Sequence, residues 1–257
     1  MTAGPVLTVA RARAWRRRWD AQQAHLVPLR EARYDFLIGA LERGVPARGR
    51  VLDLGCGTGS LSERILAARP RARVVAVDHD PLLLALGRTA LGDQRGRLTW
   101  VDADLRADGW DRALPRGSFD AAVSSTALHW LTTDELAALY RVLARRLRRG
   151  AIFLNADQLE FEPGARELRR LARAAGREWA RRAAPAGESW SAFWRSVTHE
   201  PGLHAEAALR RLRYPSAHHA VRTARTSEHL RLLDRAGFRE AEVIWGAWRN
   251  RILAAVR

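Results

Sequence analysis

The chain has 257 residues, 47% of them hydrophobic, and carries 44 basic against 28 acidic side chains for a formal net charge of +16. That length and apolar share suit one α/β domain with an insertion, and no run of about 18 apolar residues is present to span a membrane. The single cysteine, Cys56, excludes an intramolecular disulfide and a multi-cysteine metal centre, and it suits a reducing, cytoplasmic setting.

Residues 8–46 read as helical. Trp15, Trp19, Leu26, Tyr34, Leu37, Ile38 and Leu41 recur at helical spacing, with a break at Pro28 and an end at Gly44 and Pro46. The start of the chain has neither an apolar h-region nor a small-residue cleavage site, so no secretory signal is expected. From Gly49 onward, strands and helices alternate. Strands are expected at 50–54, 74–77, 98–101, 119–124 and 151–155, and helices at 60–68, 81–91 and 133–147. The last helix is capped by Thr132 or Thr133 with Glu135 and closed by Gly150. Single helices between strands imply a parallel sheet with right-handed crossovers, whose ligands lie beyond the carboxyl ends of the strands. Residues 157–225 interrupt the alternation with Arg-rich helical stretches that read as an inserted cap. A helix at 227–236 and two apolar stretches at 241–245 and 251–256, suited to an antiparallel hairpin, complete the chain. The organisation expected is a single domain over 1–257, divided at 46, 156 and 225.

Four short segments carry the chemistry. The first is Val51-Leu52-Asp53-Leu54-Gly55-Cys56-Gly57-Thr58-Gly59, a strand that exits on an acid into alternate glycines and a helix start. Glycines let backbone N–H groups approach a ligand closely. Dinucleotide enzymes favour G-x-G-x-x-G with the helix end on pyrophosphate. The G-x-G-x-G spacing with Asp53 suits a cationic ligand instead. The second is Val74–Pro81, with Asp78 at a strand end where a carboxylate accepts hydrogen bonds from a ribose diol, and His79 beside it. The third is Thr99–Leu105, with acids at Asp102 and Asp104. The fourth is Ser118–Leu131, which includes Ser124, His129 and Trp130.

These segments together resemble the class I S-adenosylmethionine-dependent methyltransferases, in particular the trans-aconitate-methyltransferase-like group acting on small molecules. Leu143–Phe153 resembles that group's turn before the fifth strand, with Arg149-Gly150 replacing Pro-Gly. Trp19-Asp20-x-Gln22-Gln23 and Arg30-Glu31-x-Arg33 carry the likeness into the first helices. The resemblance implies a Rossmann-like, doubly wound, mostly parallel seven-stranded sheet with an antiparallel last strand. It implies S-adenosylmethionine as cofactor and S-adenosylhomocysteine as product. The cofactor would be held by Asp53, Gly55, Cys56, Gly57 and Gly59, by Asp78 on the ribose with His79 flanking, and by Ser124. Asp104 with Leu105 would meet the adenine, with Asp102 the alternative. Arg33 is a candidate for the methionyl carboxylate, its alternative being a solvated helical arginine.

Methyl transfer proceeds by in-line displacement and needs a base only when the nucleophile is protonated. His129 is the candidate base, against a packing or substrate-shaping role. Tyr34, Trp130, Trp190, Trp194 and His218 are candidates for the acceptor's pocket, with core packing as the alternative for each aromatic and a solvated pair for His218 and His219. No metal site is expected, and Asn155 and Asp157 resemble the ligands of metal-dependent catechol methylation only weakly. Every basic residue is Arg and none is Lys, which with abundant Ala reads as coding bias rather than a phosphate-binding face. A nucleic-acid acceptor is therefore disfavoured, and Ser125-Thr126-Ala127-Leu128 stands where base amino-methylating enzymes carry Pro-Pro-aromatic. Ribose or ring-nitrogen methylation of RNA, and a non-catalytic cofactor-binding regulator, remain the alternatives.

Overall fold

The computed structural model describes residues 6–183, 188–214 and 223–257. Seven strands form one sheet: β1 (Arg50–Leu54), β2 (Arg73–Asp78), β3 (Leu98–Asp102), β4 (Phe119–Ser125), β5 (Leu147–Gln158), β6 (Glu240–Ala247) and β7 (Asn250–Val256). Their order is β3-β2-β1-β4-β5-β7-β6. β1 to β5 run parallel, and β7 lies antiparallel between β5 and β6. The order reverses between β1 and β4, which places a topological switch, and hence a ligand crevice, at the carboxyl ends of these two strands.

The central strands β1, β2 and β4 are nearly continuous buried runs because helices cover both faces. One face buries Leu52, Leu54, Val77, Ala122, Phe153 and Leu253 beneath α5 (Thr133–Arg146) and α9 (Thr226–Arg235). The other buries Val51, Val74, Val123, Leu154 and Ile252 beneath α2 (Arg30–Gly44) and α3 (Ser60–Ala68). A third cluster joins α1 (Val9–Leu26) and α4 (Pro81–Leu91) to the inserted α7 (Trp190–Val197) and α8 (His204–Arg213), through Trp15, Leu82, Leu86, Phe193, Val197 and Ala207. The inserted α6 (Arg166–Ala183) reaches the end of α1, where the Trp179 indole donates to the His25 carbonyl at 3.1 Å. No described helix is long and apolar enough to cross a membrane.

Local signals explain most boundaries. Asp80 caps α4 by accepting from the Leu82 and Leu83 amides, and Pro81 opens its first turn. Thr132 and Glu135 form a reciprocal capping box on α5. The expected closure of that helix at Gly150 is corrected: α5 ends at Arg146, and Leu147 already pairs with Phe119 as the start of β5. Buried Leu147 anchors the strand early. Gly150, at φ +78°, lies inside β5, where the pairing with β4 slips register.

Candidate functional site at the carboxyl edge of the sheet

The turn leaving β1 is shaped by backbone that only glycine adopts readily. Gly55 and Gly57 have φ of +68° and +55°. A Cβ on Gly55 would stand 2.3 Å from the Ala127 Cβ, so that position is closed to any side chain. A Cβ on Gly57 would meet nothing nearer than Leu83 and the Trp19 ring, at 3.8 Å. Gly57 thus opens a cradle between β1, α1 and α4 that a side chain would fill. The Gly55 and Cys56 amides donate to the Val77 carbonyl at 2.8 and 3.0 Å, which ties the turn to β2.

Asp78 completes that tie. Its Oδ2 accepts from the Gly57 amide at 2.7 Å, and its Oδ1 from the His79 and Asp80 amides at 2.7 and 2.8 Å. Burial lifts its pKa to about 6 despite these donors. Asp53 is turned the other way. It shares the Val51 face of β1, is 1% exposed, and accepts from the Ser62 hydroxyl of α3 at 2.6 Å; burial lifts its pKa to about 7. It therefore braces the turn from beneath rather than facing its mouth. The Ser124 hydroxyl donates to the Leu54 carbonyl at 2.9 Å and stitches β4 to β1. Cys56 is buried, with its thiol pushed up by burial and the nearby Asp78 and Asp53 carboxylates.

Beyond β2 and β3, the two candidate acids differ. Asp102 is held in a fork by Arg213 of α8, at 2.8 and 3.0 Å. Asp104 accepts from the Arg106 guanidinium at 2.8 Å on each oxygen; burial works against its charge, but these bonds hold its pKa below the usual carboxylate range. His79 lies 3.7 Å from Asp104, and Leu105 packs on the main core. Burial outweighs the two acids and lowers the His79 pKa.

A second constellation stands at the ends of β4 and β5. Thr126 follows β4 at φ +59°, a strained conformation for a β-branched residue, and its amide donates to the Ala156 carbonyl. The turn then lifts His129 onto Asp157. The imidazole Nδ1 lies 2.8 Å from Oδ1, and the His129 amide donates to Oδ2 at 3.0 Å. Asp157 is 1% exposed, whereas the His129 side chain is 20% exposed. Burial opposes both charges, yet their attraction raises the imidazole pKa and lowers that of the carboxylate. Facing an acceptor, Nδ1 carries its proton and leaves Nε2 as the basic nitrogen.

Arg33 joins this group and is fully buried, which excludes the solvated alternative. It donates to the Ala156 carbonyl and, at 3.3 Å, to the Thr126 hydroxyl. Its Nε and second terminal nitrogen have no partner among the described residues, and burial lowers its pKa although Asp157 opposes this. A buried guanidinium with two unpartnered nitrogens, at the turn that follows β4, is the feature expected of a site for an anionic group.

The aromatic candidates divide. Trp190 packs tilted and Trp194 edge-on against Trp19, with centroids 5.9 and 6.2 Å away, beside the cradle, and Trp130 is 42% exposed next to His129. Tyr34 is 6% exposed in the core beneath α2 and is sandwiched by Arg30 and Arg64. It therefore packs as core rather than as a pocket wall. His218 and His219 lie outside the described residues. Sequence reasoning gives Asp157 no part in acid–base chemistry, because only the pairing of β4 with β5 brings it to His129. It also passes over Trp19 as a wall; its place in a helical repeat with Trp15 reads first as core.

Residues 51–150 match the family model described as a methyltransferase domain. The chain is 34% identical over 120 residues to a trans-aconitate 2-methyltransferase of Azoarcus sp. (strain BH72), covering 46% of this chain and 43% of that protein. It is 30% identical over 163 residues to the trans-aconitate 2-methyltransferase of Streptomyces avermitilis, covering 62% and 53%. It thus spans about half the length of these curated relatives. Among solved structures, a magnesium protoporphyrin IX methyltransferase from Synechocystis PCC 6803 with bound S-adenosylhomocysteine superposes with a TM-score of 0.55 at 18% identity, covering 95% of this chain and 92% of that one. That likeness is one of fold.

Proposed function

We propose, from the premise that residues 51–150 are a methyltransferase domain of the class I S-adenosylmethionine-dependent kind, that the chain methylates a small-molecule acceptor in a reducing, cytoplasmic setting. The observation that carries this reading is that the Gly57 cradle with Asp78, and Arg33 with the His129–Asp157 pair, stand at the carboxyl ends of strands on the two sides of the switch between β1 and β4.

When bound, S-adenosylmethionine supplies a methyl group already activated by its sulfonium, so the chain's work is alignment, exclusion of water and removal of a proton. Asp78 takes the ribose diol and Asp104 the adenine amine, with Leu105 and His79 flanking. The unpartnered donors of Arg33 receive the methionyl carboxylate. Asp53, Ser124 and Cys56 hold the turn rather than the ligand. On the acceptor's side, Trp130, Trp190 and Trp194 supply walls, joined by Trp19. Nε2 of His129 takes the acceptor's proton as the nucleophile meets the methyl group, and Asp157 stabilises the resulting imidazolium. Because Asp157 raises the imidazole's pKa, the base is present only above that raised value, and turnover falls as pH drops through it.

Screening small carboxylic acids, phenols and amines for release of S-adenosylhomocysteine tests the reading. Turnover on at least one class is expected. Cofactor binding with no turnover on any class would make the chain a regulator, and failure to bind would remove the premise. A nucleic-acid acceptor is favoured by one observation, the row Arg166, Arg169, Arg170, Arg173 and Arg177 along α6. A steep fall of polyanion affinity with salt would support that second reading.

A further inference from the structure

α8 ends against the loops that follow β2 and β3. Arg210 and Arg213 stand one turn apart on it. Arg210 donates to Asp80 at 2.6 Å and stacks on the Trp194 ring at 3.6 Å. Arg213 donates to the His79 carbonyl at 2.7 Å and to both oxygens of Asp102 at 2.8 and 3.0 Å. These charged bonds clamp the inserted helices to the acids beside Asp78 and set the next residue, Tyr214, over the same loop. Its ring meets the His79 ring edge-on, with centroids 5.9 Å apart, and Arg210 lies 5.1 Å from its centroid. Its hydroxyl is within the electrostatic reach of Asp80, Asp78 and Arg106, the last being the residue that grips Asp104. Tyr214 therefore stands among the very side chains that the proposed reading assigns to ribose and adenine.

We infer that Tyr214 is the outer wall of the nucleoside pocket and packs its ring on the purine, with Arg210 and Arg213 as the positioning residues that deliver it. This rests on the cofactor reading above. A flat aromatic placed beside hydrogen-bonding acids recognises a flat heterocycle. The arrangement leaves both candidate acids ion-paired, Asp102 with Arg213 and Asp104 with Arg106. It makes cofactor affinity depend on a helix remote in sequence from every glycine and acid of the sheet edge.

Calorimetry with S-adenosylhomocysteine and with 5′-methylthioadenosine, which lacks the amino-acid end, tests the inference. Tyr214→Ala should weaken both ligands by roughly three- to tenfold. Tyr214→Phe should restore wild-type affinity, and Arg213→Ala should weaken both without changing the affinity ratio between them. Melting curves check that each variant is folded. A wild-type protein that binds neither ligand overturns the cofactor reading itself. Wild-type binding that Tyr214→Ala leaves unchanged overturns only the wall, and tighter binding by Tyr214→Ala would show that the ring plugs the pocket instead.

Discussion

The two halves of the sheet edge are built by different means. Around β1 and β2, the site is mostly backbone: three amides converge on Asp78, glycines at positive φ fix the path of one turn, and each of these amides lies within about one strand–helix–strand unit of chain. Around β4 and β5, it is side chains from distant segments. Arg33 comes from the second helix, His129 from the turn after β4, and Asp157 from the end of β5. The first half is the part that the proposed reading gives to the ligand. The second depends on a buried charge cluster whose members change one another's protonation, which is what acid–base work requires.

Substitutions of the His129–Asp157 pair should alter rate and pH dependence and spare affinity, whereas Arg33, given the methionyl carboxylate, is the member of that half on which cofactor affinity depends. His129→Ala carries the largest effect: kcat should fall by about 10²–10⁴-fold with the Kd for S-adenosylhomocysteine unchanged. Wild-type rates across pH in that variant would retire the base. Asp157→Asn should cost less in kcat, on the order of tenfold, and should shift the acidic limb of the rate profile downward because the imidazole loses the carboxylate that raises its pKa. An unmoved limb would show that the pair is structural. In the first half, pH should act on binding instead. Protonation of Asp78, whose pKa stands at about 6, should weaken cofactor affinity as pH falls through that value. A flat affinity from about pH 8 to about pH 5 would break the contrast. The smallest effect concerns stability. Gly55→Ala brings a Cβ within 2.3 Å of Ala127 at positive φ, and should cost about 1–3 kcal/mol by denaturant titration.

The same contrast explains what is legible in the sequence. The alternating strands and helices, the capping box at Thr132 and Glu135, and the glycine turn with Asp78 are all signals carried by neighbouring residues. They appear in the structure close to where the sequence places them. The antiparallel pairing of the last two stretches is also readable, from their length and the turn between them. Gly150 misleads because a glycine after a helix reads as its end, whereas buried Leu147 has already committed the chain to a strand. Asp53 reads as facing a ligand, since a strand end gives no hint of which face its side chain takes until α3 presents Ser62. Asp157 and Tyr214 depend on contacts made across the fold. One needs β4 laid beside β5, and the other needs α8 packed over α4, and no local spacing announces either.

Every role assigned to the sheet edge presumes that the Gly57 cradle and Asp78 hold the nucleoside end of S-adenosylmethionine. Titrating S-adenosylhomocysteine into the wild-type chain and into Asp78→Ala tests this most directly. The account predicts saturable one-to-one binding by the wild type and at least about a hundredfold loss in the variant, as expected when two hydrogen bonds to a carboxylate disappear. Equal affinity in the two proteins, or tight binding of a nicotinamide dinucleotide in its place, would contradict it.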